Sequence, residues 1–416
     1  MKWDNYREII EPGEMRVIES LAHHLKGRTF LHMNATAVGG GVAELLHSIV
    51  PLIKELGVDI KWKVIKGSKP FYDFTKNFHN SLQGKGEPIT KKMWETYEET
   101  NQKNAKRLNL EGDCVFIHDP QPARLIDVKK EGVWIWRCHI DVSTPDPVAW
   151  YFLKGIVERY DASVFSVSRF AQKLAIPQFI IPPSIDPLTE KNMDLPREYI
   201  EEVLDRFSIP REKESLERFD IPKKKPILLQ VSRFDPWKDP VGVIEAYRMV
   251  KRYRDCQLIL AGGTAADDPE GEKILEKVRE AAAGDPDIHI LLLPPSSHKE
   301  INALQRAADI VIQKSTREGF GLVVAEALWK EKPVIASAVG GIPLQVLDGG
   351  TGCLVHSIEG TAYKIRQLLH NPDWARRMGE AGKEHIRKNF LITRHIRDYL
   401  ALWVAMENRR EKAIYI

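Results

Sequence analysis

From Thr29 to about Val355 the chain alternates short apolar runs with longer stretches in which apolar residues recur every three or four positions, and few folds accept that alternation. Strands separated by helices pair in parallel, because a parallel connection needs a crossover long enough to hold a helix, and the helices then cover both faces of the sheet. The first unit is explicit. Thr29-Phe30-Leu31-His32-Met33 reads as a strand and Gly39-Gly40-Gly41 as a turn; Val42, Leu45, Leu46, Ile49, Leu52, Ile53 and Leu56 then form one helical stripe that stops at Gly57. Further strands are expected at 58–65, 114–118, 134–138 and 163–167, then at 227–231, 258–261, 288–292, 310–313, 334–336 and 353–355.

With 416 residues the chain exceeds what one core usually supports, so two α/β domains of about 200 residues are expected. Pro182, Pro183 and Pro187 end the first, since prolines continue neither a helix nor a central strand. The expected division is 1–187, a charge-rich helical connection 188–221, a second domain 222–390 and a terminal helix 391–416 with Ile392, Ile396, Tyr399, Leu400 and Trp403 on one stripe.

A net charge of +3 over 61 basic and 58 acidic residues leaves no polyelectrolyte footprint, which argues against a nucleic-acid partner. No apolar run is long enough for a membrane span and the N-terminus has no signal-peptide core, so the chain reads as soluble and cytoplasmic, without a membrane partner. Cys114, Cys138, Cys256 and Cys353 are widely separated in apolar stretches and read as buried hydrophobes.

Two clusters carry chemistry. After the run 227–231 come Arg233 and Lys238, the first a planar fork suited to phosphate oxygens, the second a point charge, with a helix starting near Asp239 to add backbone donors. Some ninety residues on, Glu318-Gly319-Phe320-Gly321-Leu322 leads into a helix carrying Glu326, eight positions after Glu318. The glycines let backbone approach a ligand, and carboxylates accept hydrogen bonds in pairs from adjacent sugar hydroxyls. Either cluster alone is commonly a solvated pair on a turn; together they favour a sugar-nucleotide site.

Those residues resemble the diphosphate clamp and the E-x7-E motif of the retaining glycosyltransferases of family 4, whose GT-B fold sets two Rossmann-like domains across a deep cleft, with a C-terminal helix crossing back to the first. The resemblance covers nearly the whole chain. It implies that Arg233 and Lys238 hold the donor's diphosphate, Glu326 the ribose and Glu318 the transferred sugar, and that Gly262 and Gly263, in Gly262-Gly263-Thr264, form the turn near the donor together with Gly319, Phe320, Gly321 and Leu322.

The first domain supplies a glycine loop, Gly39, Gly40 and Gly41, whose free N–H groups suit an anion or a hydroxyl, and two polar strand ends, His118-Asp119 and His139-Ile140-Asp141, on one sheet edge. The run His139-Ile140-Asp141-Val142-Ser143-Thr144-Pro145 is similar to the histidine loop of trehalose-forming enzymes within the family. That likeness implies contact of His139 with donor glucose, Asp119 near the sugar, and transfer of glucose from a nucleoside-diphosphate glucose (ADP-, UDP- or GDP-glucose) to free glucose as an α,α-1,1 linkage. The phosphate pocket of a glucose 6-phosphate acceptor is not recognisable, although Arg7, Arg16, Lys66 and Arg137 are available to build one.

No cofactor and no metal are expected: the one Asp-x-Asp, Asp285-Pro286-Asp287, reads as a turn. The competing functions are transfer to another acceptor, a disaccharide phosphorylase, a nucleotide-sugar epimerase and a non-catalytic sensor. A homodimer is compatible with the chain, and oligomeric state is otherwise not legible.

Overall fold

The computed structural model describes residues 2–38, 40–210, 225–263, 269–409 and 411. Gly39, Thr264, residues 211–221 of the expected connection and the tail 412–416 lie outside the described residues. The chain divides into two compact units, residues 1–184 with 392–416, and residues 185–391.

In the first unit six parallel strands, β1 (Thr29–Asn34), β2 (Asp59–Val64), β3 (Cys114–His118), β4 (Val133–Arg137), β5 (Ala162–Phe165) and β6 (Gln178–Ile180), lie in the order β2-β1-β3-β4-β5-β6. Helices cover the sheet. The helix Gly41–Glu55 buries Leu45, Leu46, Ile49, Leu52 and Ile53, and the chain then turns at Gly57 with φ 90°. The terminal helix Ile392–Glu407 belongs to this unit and packs on the helix Pro12–His24. It buries Tyr399 and Trp403, whose rings meet Phe30 at 6.5 and 5.0 Å.

The second unit repeats the plan. Its strands are β7 (Ile227–Val231), β8 (Gln257–Gly262), β9 (Ile288–Leu292), β10 (Ile310–Gln313), β11 (Val334–Ser337) and β12 (Cys353–Val355), in the order β12-β11-β10-β7-β8-β9, all parallel. β7, β8 and β10 are buried along their whole length, as both-face coverage requires, whereas the edge strand β9 is only part buried. The helix Arg197–Arg206 sits in this unit against the helix His298–Ala307.

β6 is absent from the expected strands. It has three residues, lies at an edge, is half exposed and is bracketed by Pro177 and Pro182, so it lacks the apolar run that reveals a central strand. All four cysteines are buried free thiols. No helix among the described residues is long and apolar enough to cross a membrane.

Candidate active site

In open parallel sheets ligands bind where the strand order reverses, beyond the carboxyl ends of the strands. The reversal falls between β7 and β10 in the second unit and between β1 and β3 in the first. The residues singled out by sequence cluster at those two places, one set on each unit.

On the second unit β7 delivers the segment Ser232 to Lys238. Phe234 is buried and its N–H donates to the Gly263 carbonyl at 3.2 Å, while Asp235 caps the short 3₁₀ turn Pro236–Lys238 by accepting from the Trp237 N–H at 2.7 Å. Arg233 remains largely exposed, its guanidinium 3.0 Å from Asp235. The Lys238 ammonium donates to Glu318 at 2.6 Å, joining the loop after β7 to the loop after β10. Ser315 Oγ donates to the same carboxylate oxygen at 3.2 Å. An ammonium has three donors, so Lys238 can hold Glu318 and still offer a proton to a ligand oxygen.

One expected element changes. The helix Pro240–Lys251 does not present a row of open donors: Pro240 has no N–H, and Asp239, itself left-handed at φ 46°, accepts from the Gly242 N–H at 3.1 Å and pairs with Lys314. Local positive charge therefore comes from side chains rather than from that helix end.

Glycines set the second half of the site. Gly321 caps the helix Leu322–Trp329 in the left-handed region, φ 80°, and a Cβ on Gly262 would stand 1.7 Å from the Ser232 carbonyl oxygen. The Gly319 carbonyl accepts from the Gly341 N–H at 2.9 Å. Phe320 faces inward against Phe390, ring centroids 5.7 Å apart, and so anchors the loop; Leu322 opens the helix, part buried. Glu326 is buried, with Oε1 3.8 Å from the Lys191 ammonium and Oε2 without a hydrogen-bond partner among the described residues. A buried carboxylate oxygen left open is an acceptor waiting for a donor.

Sequence reasoning missed the residues around Glu326. Lys330, four residues on at the end of the same helix as its C-cap, donates to Asn192 Oδ1 at 3.0 Å and to the Glu326 carbonyl at 3.1 Å, and burial pulls its ammonium down to about 7. Spacing by four on a helix places Lys330 beside Glu326 and could have flagged it. Lys191 and Asn192 come from a distant loop and carry no such signal.

On the first unit Gly40, φ 78°, precedes the helix Gly41–Glu55, which has no side-chain cap. Among the described residues no side chain caps its first N–H groups, as a hydroxyl or anion site needs. His118 ends β3 and His139 follows β4. Asp119 is left-handed at φ 65°; one of its carboxylate oxygens accepts from the His139 N–H at 2.8 Å. Asp141 Oδ1 accepts from the Ser143 N–H at 2.9 Å and hydroxyl at 2.5 Å, which shapes the loop. Arg137, one candidate for a phosphate pocket, is fully buried and donates to the Ile181 carbonyl at 2.6 Å, and Arg7 is exposed and paired with Asp4. The Asp-x-Asp is a turn: Asp285 Oδ1 accepts from the Asp287 N–H at 3.0 Å, and Lys225 and Lys251 pair with Asp287.

Burial pushes the Asp119 carboxyl up to about 7, against the opposing pull of the His139 N–H and the Arg137 guanidinium. An acid whose folded pKa lies above its unfolded value favours the folded state when protonated. That stability is fully present below about pH 4 and is lost as pH rises through about 7. Asp119→Asn removes the titration, so the melting temperature of the variant rises relative to wild type between about pH 4.5 and pH 8 by scanning calorimetry. A constant difference across that range would contradict the assignment.

A family described as trehalose synthase, N-terminal domain, matches residues 32–172, and one described as glycosyl transferases group 1 matches residues 211–385. The chain is 46% identical over 406 residues to a trehalose synthase of Thermococcus litoralis, covering 96% of each chain, and 45% identical over 413 residues to one of Rubrobacter xylanophilus, covering 97% of this chain and 96% of the other. Among solved structures, a glycosyltransferase from Rickettsia africae has the same fold, with a TM-score of 0.71 at 19% identity over 91% of this chain and 98% of its own.

Proposed function

The chain belongs to the trehalose synthase family of glycosyltransferases, and on that premise we propose that it makes α,α-trehalose from a nucleoside-diphosphate glucose and free glucose, with retention at the donor carbon. The observation that carries the reading is the contact between Lys238 and Glu318, which ties a cationic loop after β7 to the glutamate loop after β10. In this reading Arg233 and Lys238 hold the diphosphate, Glu326 accepts from the ribose hydroxyls through its open oxygen, and Glu318 accepts from the hexose. Gly262, Gly263, Gly319 and Gly321 keep the backbone close enough for main-chain contacts. On the first unit, the first N–H groups of the helix that follows Gly40, together with His139 and Asp119, serve the sugars, while His118 is buried with both ring nitrogens 2.9 Å from other histidines.

The bond that breaks joins the glucose anomeric carbon to a diphosphate oxygen, and the one that forms joins that carbon to the anomeric oxygen of the acceptor. The acceptor's hydroxyl proton passes to the departing phosphate oxygen on the same face of the ring, which gives retention without a covalent sugar–enzyme intermediate. Charge gathers on the diphosphate as the bond stretches, and fixed cations stabilise it most at that moment. Arg233 and Lys238 are the groups proposed to do so.

Incubation with ADP-, UDP- or GDP-glucose and free glucose is expected to give a non-reducing disaccharide, one nucleoside diphosphate per disaccharide, and two α anomeric protons by NMR. Three outcomes would overturn the reading. Turnover only with inorganic phosphate and trehalose would indicate a phosphorylase, conversion of the donor without acceptor an epimerase, and an absolute need for glucose 6-phosphate a different acceptor.

A further inference from the structure

Three histidines form one continuous hydrogen-bonded chain in the first unit. His32 Nδ1 lies 2.9 Å from His118 Nε2, and His118 Nδ1 lies 2.9 Å from His139 Nε2. The register explains the alignment. His32 of β1 pairs with Phe116 of β3, so His118 follows two residues on and on the same face; Arg137 of β4 pairs with His118, so His139 follows by the same step. The rings stack successively, with centroids 5.2 Å apart at both links.

Burial holds all three imidazoles below their usual range, His32 at about 3, with Arg137 adding to the effect at His118 and His139. Three neutral rings carry three protons on six nitrogens. Each link needs one, which leaves a single proton for the two ends of the chain, His32 Nε2 or His139 Nδ1. The two ends differ. His32 Nε2 is buried without a hydrogen-bond partner among the described residues, and its ring packs among Phe30, Phe116 and Tyr399 at 4.3, 5.3 and 6.0 Å. His139 is only partly enclosed. Orphaned buried N–H groups are rarer than under-used acceptors, and an N–H at His32 Nε2 would lose about 1–3 kcal/mol of hydration for no bond.

We propose that His32 and His118 are positioning residues that fix the tautomer of His139, His32 Nδ1–H donating to His118 and His118 Nδ1–H to His139 Nε2, so that His139 presents an N–H donor at Nδ1 rather than a bare nitrogen. The donor end suits a sugar hydroxyl or phosphate oxygen, both good acceptors. His32 lies two strands from His139, whose tautomer it sets through His118, and has no direct role in binding. The tautomer itself is independent of the glucosyl-transfer reading; only its effect on turnover rests on it.

The test uses the full-length protein with nitrogen-15 in its histidine rings, His139 being identified by the signal lost in His139→Gln. Wild type is expected to show a proton-bearing Nδ1 and a bare Nε2 at His139. His32→Leu should leave His118 undirected and give His139 a mixed signature, with kcat lower by about tenfold and little change in KM for the donor, the scale of one misdirected hydrogen bond. His32→Asn places an amide N–H where Nδ1 stood, and should restore both the single signature and turnover to within about threefold of wild type. A proton on Nε2 of His139 in wild type would overturn the proposal, as would a His139 signature unchanged in His32→Leu. Should His32→Leu not fold, His32→Gln, whose amide is displaced from the Nδ1 position, takes its place with the same expected and contrary results. Wild type inactive toward every nucleotide-sugar but showing the predicted tautomer would count against the functional reading and leave this one standing.

Discussion

Arg233→Ala and Lys238→Ala are each expected to lower kcat/KM by about a hundredfold or more, with most of the loss in kcat, because in the proposed reading each removes a positive charge that matters most when the diphosphate departs. The two substitutions differ in what they leave behind. Arg233 is largely exposed and its partner Asp235 also caps the turn Pro236–Lys238, so its loss costs little stability. Lys238 is part buried against Glu318, so its removal also strands a carboxylate. The double variant Lys238→Ala with Glu318→Gln separates the two effects. If the ammonium served only to neutralise Glu318, the second change would recover most of the lost turnover; if it serves the diphosphate, turnover stays low. Steady-state kinetics with the preferred nucleotide-glucose reads the result. Near-normal constants for either single variant would remove that residue from the clamp.

The second large effect is structural. Gly262→Ala puts a Cβ 1.7 Å from the Ser232 carbonyl oxygen and 2.7 Å from its carbon, and both contacts are backbone, so no side chain can yield. The end of β7 must move, and with it Arg233, which follows Ser232 directly. The expected loss is about 3 kcal/mol of stability, with a drop in kcat/KM at a temperature where the variant is folded. Gly284→Ala is the comparison: its φ of 81°, unlike the backbone at Gly262, favours glycine, but nothing lies within 4 Å of the added carbon, so its cost is about 1 kcal/mol and kcat/KM is unchanged. Equal effects of the two would show that the close approach of β8 to the chain after β7 costs no more than an uncrowded left-handed glycine, against the expectation.

The strands were legible as apolar runs with sharp ends, the central ones because both faces are buried; the runs at 114–118, 227–231, 288–292, 310–313 and 353–355 coincide with strands residue for residue. β6 was not, since its three residues are half exposed and lie between Pro177 and Pro182, without a buried apolar run. Within the site, residues that neighbour one another in sequence were recognisable as motifs: Arg233 with Lys238, and Glu318 with Glu326. Contacts across long sequence separations were not. Lys330 and Asn192, 138 positions apart, meet beside Glu326 only because the loop carrying Asn192 folds against the helix Leu322–Trp329. His32 was hidden differently: inside an apolar run it reads as one core position among others, and its place at the head of a histidine chain depends on the register of β1 with β3. The cap that Asp239 forms over its own helix was similarly invisible, because a sequence shows a helix start but not whether its donors are already taken.

The proposition that the released charge is taken up by a guanidinium and an ammonium of the second unit is tested most directly by a crystal structure of the protein with a nucleoside diphosphate. Arg233 and Lys238 are expected within hydrogen-bonding distance of the β-phosphate oxygens, with the ribose hydroxyls on Glu326 Oε2. A well-ordered diphosphate touching neither basic side chain would contradict the account.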